Sequence, residues 1–285
     1  LKEIEMSILT NKFSVGENST IDPSAKIKCD VFSIGSNCYI GPNSVIECKE
    51  FYAGDYFFAP RLEVGRGGCN GPNSIVKIGN NVGIFEDTIL NPSESITIGD
   101  NCGIGTECII WTHGGWLDAM QGYPAQFASV TIGHDVWLPA RSVVLPNVNI
   151  GNHVIVSTNS VVHRDLPEGC LAAGDPCKPI KENIFPRKVT EKDKHDNIKR
   201  LFTYWNEILL PHKGYHSIKN YDIIGCNIEL NDTTIFECDN KRINGKVDDI
   251  VEDLRDFLRR NGIKIYTGKP FKSLGSEYEK TIKSR

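Results

Sequence analysis

Apolar residues recur at every sixth position over one long stretch: Ile132, Leu138, Val144, Ile150, Val156 and Val162. A helix repeats its apolar face every 3.6 residues and a half-buried strand every second residue, so neither produces this beat. Short straight segments joined by regular corners do, and the stretch is predicted to wind into a β-solenoid. A second series, Val136, Ser142, Val148, Val154 and Ser160, runs four places behind the first with small or β-branched side chains that suit an interior corner. Between them stand Gly133, Asp135, Asn147, Gly151, Asn152 and Asn159, residue types that tolerate the backbone angles of a tight turn.

The same beat appears upstream in Ile34-Ile40-Ile46, Ile78-Ile84-Leu90 and Ile98-Ile104-Ile110. Residues 48 to 77 lose it, carrying Phe51, Tyr52, Tyr56, Phe57 and Phe58 and a glycine-rich run from Gly65 to Gly71, and are expected to form a bulged coil or excursion. Residues 111 to 130 break it again. Stacked coils leave little room for insertions in their walls, so this second break is predicted to protrude as a loop. The repeats end near Leu166, and Pro167, Gly169, Gly174, Pro176, Pro179 and Pro186 then punctuate a boundary.

A different pattern follows. Thr190 and Asp193 form a capping-box-like start, and Ile198, Leu201, Phe202, Trp205, Ile208 and Leu209 share one helical face up to Pro211. Thr233 to Phe236 and Ile263 to Tyr266 read as strands flanking a second helix, whose Val247, Ile250, Val251, Leu254, Phe257 and Leu258 face one way before Gly262 ends it. The division expected is a β-helical domain over residues 1–185 and a C-terminal α/β appendage over residues 186–285.

With 285 residues, the chain is long for one compact domain, which agrees with that division. No apolar run approaches the roughly 18 residues of a membrane span, and Leu1-Lys2-Glu3-Ile4-Glu5 lacks the order of a signal peptide, so a cytoplasmic protein with no membrane span is expected. The formal charge of −4 gives no footprint for nucleic acid. Cys38, Cys102 and Cys108 fall on the six-residue grid where small apolar residues belong, and the chain has no CxxC pair. The ten cysteines therefore read as packed thiols in a reducing compartment, with no metal site.

Two stretches carry a family resemblance. Val130-Thr131-Ile132-Gly133-His134-Asp135-Val136-Trp137, and Val161-Val162-His163-Arg164-Asp165-Leu166-Pro167 followed by Ala173-Gly174-Asp175-Pro176-Cys177-Lys178, resemble the closing coils of hexapeptide-repeat acyltransferases. The resemblance is strongest to maltose and galactoside O-acetyltransferases and bacterial polysaccharide O-acetyltransferases, and covers about residues 20 to 185; nothing beyond Pro186 takes part. It implies a left-handed parallel β-helix, a homotrimer with sites between subunits, and acetyl-CoA as donor.

It also implies roles for particular residues. His113, in Thr112-His113-Gly114, stands where the family carries its catalytic base; transfer of an acetyl group to a hydroxyl requires removal of the hydroxyl proton, which an imidazole of near-neutral pKa does well. Its orienting partner is open: Asp118 is the single carboxylate between Gly114 and Ser129, and Glu86, Asp87 and Glu107 lie on neighbouring coils. Trp137 corresponds to an apolar wall beside the thioester. Ala140 and Thr158 match positions whose backbone amides bind CoA, and His163, Arg164 and Lys181 match the segment near its adenine and phosphates, with Lys178 able to share that role.

Trp111, Trp116 and Tyr123 flank the base with aromatic faces of the kind that pack on sugar rings, consistent with a saccharide or nucleotide-sugar acceptor. Phe51 to Phe58 stand either as acceptor contacts or as ordinary core. The expected activity is O-acetylation of a carbohydrate, a surface glycan or its precursor. The alternatives are an N-acyltransferase for an amino-sugar nucleotide and a non-catalytic β-helical binding module.

Overall fold

The computed structural model describes residues 7–66 and 71–275, in two compact units, Leu1–Arg187 and Lys188–Arg285. The first unit is a three-sided parallel β-solenoid. Face A runs from Ser7–Val15 through Lys26–Ile34, Glu50–Ala53, Ile75–Ile78, Ile96–Ile98 and Val130–Ile132 to Asn149–Ile150. Face B runs from Thr20–Ile21 through Tyr39–Ile40, Phe58–Ala59, Gly83–Ile84, Gly103–Ile104, Trp137–Leu138 and Ile155–Val156 to Leu171–Gly174. Face C holds Val45–Glu47, Leu62–Val64, Thr88–Asn91, Ile109–Trp111, Val143–Val144 and Val161–Val162. The solenoid thus continues one face beyond Leu166, to Gly174, where Cys177–Lys181 folds back antiparallel and closes the stack.

Both periodic series point inward. Every member of the six-residue series from Ile132 to Val162, and of the series four places behind it, is at most 2% exposed. Each buried aliphatic contributes about 1.5–3 kcal/mol, and the sum over the stack is what holds strands of only two or three residues in register. Corners turn on a residue of positive φ three places after a ladder residue, among them Asn81, Asn101, Asp135, Arg141, Asn147, His153 and Asn159.

Gly133, Gly151 and Asn152, expected to supply unusual angles, do not have positive φ; Arg141 and His153 do, held there by the coils on either side. Gly133 is needed for space: a Cβ would lie 2.5 Å from Asn152 Oδ1 and 2.9 Å from its amide nitrogen. Asn152 Oδ1 accepts from the His134 amide at 2.8 Å, and Asp100 Oδ1 from the Asn80 amide at 2.6 Å, so these corner side chains stitch one coil to the next.

Residues 48 to 64 are not an excursion. Their strands occupy regular places on all three faces, but the ladder positions fall at Ala53, Ala59 and Val64, with uneven spacing, and the large inward side chains are Phe51 and Phe57, two places before the alanines. Phe51 and Phe57 are fully buried, and Phe13, Phe32 and Phe51 stack along face A at centroid spacings of 5.4 and 5.5 Å. The acceptor role considered for Phe51 and Phe57 is therefore ruled out by burial. Of the glycine-rich run, residues 67 to 70 lie outside the described residues. The second break is a protruding loop, as expected: residues 114 to 127 are exposed, with a short hairpin at the root and a 3-10 turn, Ala119–Gln121, within the loop.

Outward residues distinguish the faces. Face A presents Ser33, Tyr52, Lys77, Thr97, Thr131 and Asn149 in register. From its middle coils on, face C presents Ile89, Ile109, Val143 and Val161 beyond Val45 and Glu63, and face B presents Tyr39, Phe58, Gly83, Gly103, Trp137, Ile155 and Leu171. Two of the three sides are thus apolar on the outside.

The nine described cysteines are buried. Burial pushes the thiols of Cys38, Cys108, Cys170 and Cys177 up, and that of Cys238 to about 12, so they pack as small apolar groups with little thiolate.

In the second unit, helix Glu191–Tyr204 opens on the expected capping box, Thr190 and Asp193 bonding each other's backbone. A π-turn, Trp205–Leu209, then inserts a wider turn, which rotates the face: Trp205, Asn206 and Leu210 are buried, while Ile208 is left 55% exposed. Four antiparallel strands follow, Tyr221–Ile224, Asn227–Leu230, Thr234–Glu237 and Arg242–Gly245, of which the sequence pattern had indicated only the third. Helix Asp249–Arg260 ends before Gly262 as expected, but 263–266 is not a strand. Its Ile265 carbonyl is taken by the Arg255 guanidinium at 3.2 Å, and the segment lies along the helix as an extended strap.

Acid strips this unit of one contribution. Burial alone would push the Asp256 carboxyl up, but the Ser273 hydroxyl and the Arg259 and Arg260 guanidiniums outweigh it, so the carboxyl sits below 3.8. A carboxylate depressed on folding stabilises above its unfolded pKa and loses that contribution as pH falls through its folded value. The unit's unfolding midpoint is expected to drop below about pH 4, and Asp256→Asn to flatten that drop, measured by denaturant titration across pH 2 to 6.

Candidate active site

His113 follows the face C strand Ile109–Trp111 at the corner where the loop leaves the wall. Thr112, fully buried, pins that corner: its hydroxyl donates to the Asn91 carbonyl at 2.7 Å and accepts from the Glu94 amide at 2.9 Å, while its carbonyl accepts from the Ala128 amide at 2.9 Å. The strand His113–Gly114 pairs with Gln126–Phe127, setting His113 opposite Phe127.

The imidazole is half-buried between two aromatic rings. Phe127 stacks on it at 5.5 Å between centroids and 23° between planes, and Trp111 meets it edge-on at 5.7 Å. Nδ1 lies 2.9 Å from Asn91 Oδ1 and 3.0 Å from Ser93 Oγ. None of the carboxylates considered as orienting partners holds it. Asp118 caps the loop's 3-10 turn through the Met120 amide, Asp87 pairs with Arg61, and Glu107 pairs with Arg141 at 2.6 Å. Asn91, Ser93 and Phe127 were not foreseen; register arithmetic between the strands Thr88–Asn91 and Ile109–Trp111 would have put the first two beside the histidine.

The remaining expected residues divide between two sides. His163 and Arg164 follow the strand Val161–Val162 on the same edge as Trp111, two strands further along, and Arg164 Nε donates to His163 Nε2 at 3.0 Å. Trp137 stands on face B, 42% exposed, lying so close over Gly103 that a Cβ there would be 2.5 Å from its ring. Ala140 and Thr158 lie at the corner after face B, where the Ala140 carbonyl accepts from the Asn159 amide at 3.2 Å, and Lys181 ends the strand that closes this face. Within one chain, therefore, the base and the expected thioester wall are on different faces. Trp116 and Tyr123 are 96% and 47% exposed on the loop.

Residues 129–164 match the bacterial transferase hexapeptide model, described as six repeats, and they are the coils whose two ladders fill the solenoid. These coils are bacterial transferase hexapeptide repeats. A Saccharomyces cerevisiae protein named as an acetyltransferase is 37% identical over 123 residues, 42% of this chain and 59% of that protein. The galactoside O-acetyltransferase of Escherichia coli K12 is 31% identical over 35% of this chain and 48% of its own length. An Escherichia coli K12 protein named for O-acetyl transfer in lipopolysaccharide biosynthesis is 33% identical over 41% of this chain and 66% of its own. The chain spans less than two thirds of the length of each of these relatives. No helix among the described residues is long and apolar enough to cross a membrane.

Proposed function

We propose that this chain transfers an acetyl group from acetyl-CoA to a carbohydrate hydroxyl, with His113 as general base, in a homotrimer whose sites lie between copies. The observation that carries the reading is His113 itself, an imidazole held at one nitrogen, walled by Trp111 and Phe127, and set at the root of an exposed loop that leads into the coils matching the hexapeptide model. Nε2 takes the hydroxyl proton as the oxygen attacks the thioester carbonyl, and returns it to the departing sulfur. A base so placed contributes roughly 10² to 10⁴ in rate.

The names of the relatives support acetyl transfer, and the aromatic surroundings of His113 support a sugar ring as acceptor. The exposed residues of face B fit the donor: Trp137, Ile155 and Leu171 make an apolar strip for the pantetheine arm, and Lys181 is a cation for phosphate at its end. Two outward apolar faces support self-association, because a closed ring of three copies buries face C of one against face B of the next. That arrangement would bring His113 of one copy to Trp137 of its neighbour.

The decisive assay is release of the CoA thiol from acetyl-CoA with free sugars, nucleotide sugars and glycan polymers offered in turn. Saccharide-dependent release is expected; no release with any class overturns the reading. For the shared site, His113→Ala and Trp137→Ala variants, each inactive alone, are co-expressed. Random trimers assemble an intact site at about a quarter of their seams, so activity returns to about that fraction. No recovery means the site is built within one copy.

A further inference from the structure

We propose that Asn91 is a positioning residue for His113: its side-chain carbonyl holds the imidazole as the Nδ1–H tautomer. The consequence for turnover rests on the acyl-transfer reading above; the tautomer rests on geometry alone. Asn91 is fully buried at the end of the strand Thr88–Asn91, where Pro92 directs the chain away in extended form. Its amide has one satisfactory orientation. Nδ2 donates to the Arg66 carbonyl, so Oδ1 is the atom turned to the imidazole; the flipped amide would set oxygen against the Arg66 oxygen.

A carbonyl oxygen only accepts. At 2.9 Å from Nδ1 it demands a proton on that nitrogen, since two lone pairs at that distance repel. The Ser93 hydroxyl, 3.0 Å from Nδ1, donates its proton to the same Asn91 oxygen at 3.4 Å and so faces Nδ1 as an acceptor, in agreement with that tautomer. With the proton on Nδ1, the lone pair sits on Nε2, the nitrogen that no described residue bonds. Free histidine in water favours the opposite form, so the amide reverses the intrinsic preference. A carboxylate in this place would orient the ring equally well, but its charge would favour the imidazolium and move the onset of base catalysis to higher pH. The amide supplies orientation without a charge.

The test uses the full chain with 15N-labelled histidine, the His113 signals identified by their loss in His113→Ala. Wild type is expected to show a protonated, pyrrole-like Nδ1 and a pyridine-like Nε2. Asn91→Asp, nearly the same shape, is expected to keep the tautomer and raise the His113 titration by about one pH unit, the acid limb of kcat/KM moving with it while KM for the donor changes less than about twofold. Asn91→Leu is expected to move the proton to Nε2 and lower kcat about 10- to 100-fold at nearly unchanged KM. A pyridine-like Nδ1 in wild type, or a His113 titration unmoved by Asn91→Asp, overturns the proposal. Both readouts are independent of turnover. If every acceptor class fails in the assay while the tautomer is as stated, the proposed function falls and the role of Asn91 in holding the ring stands.

Discussion

Replacing His113 with alanine is expected to lower kcat with a carbohydrate acceptor by about 10² to 10⁴ while leaving acetyl-CoA affinity within about twofold. The separation follows from the site's layout. His113 sits on the loop corner after face C; of the residues matched to the donor, Trp137, Ala140, Thr158 and Lys181 belong to face B, its following corner and its closing strand, and His163 and Arg164 stand two strands further along face C. Removing the imidazole takes away the proton acceptor, and also the ring between Trp111 and Phe127, but no part of the donor strip. Steady-state kinetics together with equilibrium binding of acetyl-CoA checks both halves. Near-normal turnover of the variant would favour an amine acceptor that has lost its proton before attack, and failure to bind the donor at millimolar concentration would remove both enzyme readings.

Arg255→Ala is expected to destabilise the second unit by about 3–5 kcal/mol and leave the solenoid's own transition in place. Arg255 is fully buried on the helix Asp249–Arg260 and spends its guanidinium on Glu252 at 2.7 Å and on the backbone carbonyls of Ile265 at 3.2 Å, Lys269 at 3.2 Å and Pro270 at 2.5 Å, with its plane 4.2 Å over the Phe271 ring. Truncation leaves a mostly buried carboxylate without its cation and takes away the donor that ties the strap to the helix. Lysine would restore the charge but not the fork, so Arg255→Lys is expected to recover under half of the loss. Denaturant unfolding in a Trp111→Phe, Trp116→Phe, Trp137→Phe background reads this directly: emission of the buried Trp205 then reports the second unit, and the far-ultraviolet signal, dominated by the solenoid's strands, the first. A loss below about 1 kcal/mol would mean that the strap is held chiefly by its apolar contacts.

The two units differ in how much of them the residues announced. In the solenoid, two side chains in six must enter the core, and every coil repeats the demand, so the pattern overdetermines the wall; the ladders from Ile132 to Val162 are buried without a slip. The loop after Trp111 was equally legible, because an insertion into a stacked wall has only outside space to occupy. The pattern misled at residues 48 to 64, where small alanines, Ala53 and Ala59, hold the ladder positions at uneven spacing and the buried rings of Phe51 and Phe57 fill the core beside them. In the second unit, short strands such as Asn227–Leu230 carry only two inward residues, Ile228 and Leu230, too few to separate their alternation from loop.

The candidate site divides along the same line. His113, Trp111 and Trp137 were nameable because each stands at a fixed place in a repeat that resembles a known one. Their partners were not. Asn91 reaches His113 from 22 residues upstream, and Phe127 reaches it across a hairpin, so neither carries a local signature. The sequence by itself determined the repeat, the side chains that fill it and the point where the loop leaves, since these depend on a burial demand renewed in every coil. Only the tertiary structure decided what holds the imidazole and which faces carry the two halves of the site, since these depend on contacts between residues that coiling brings together from distant places in the chain.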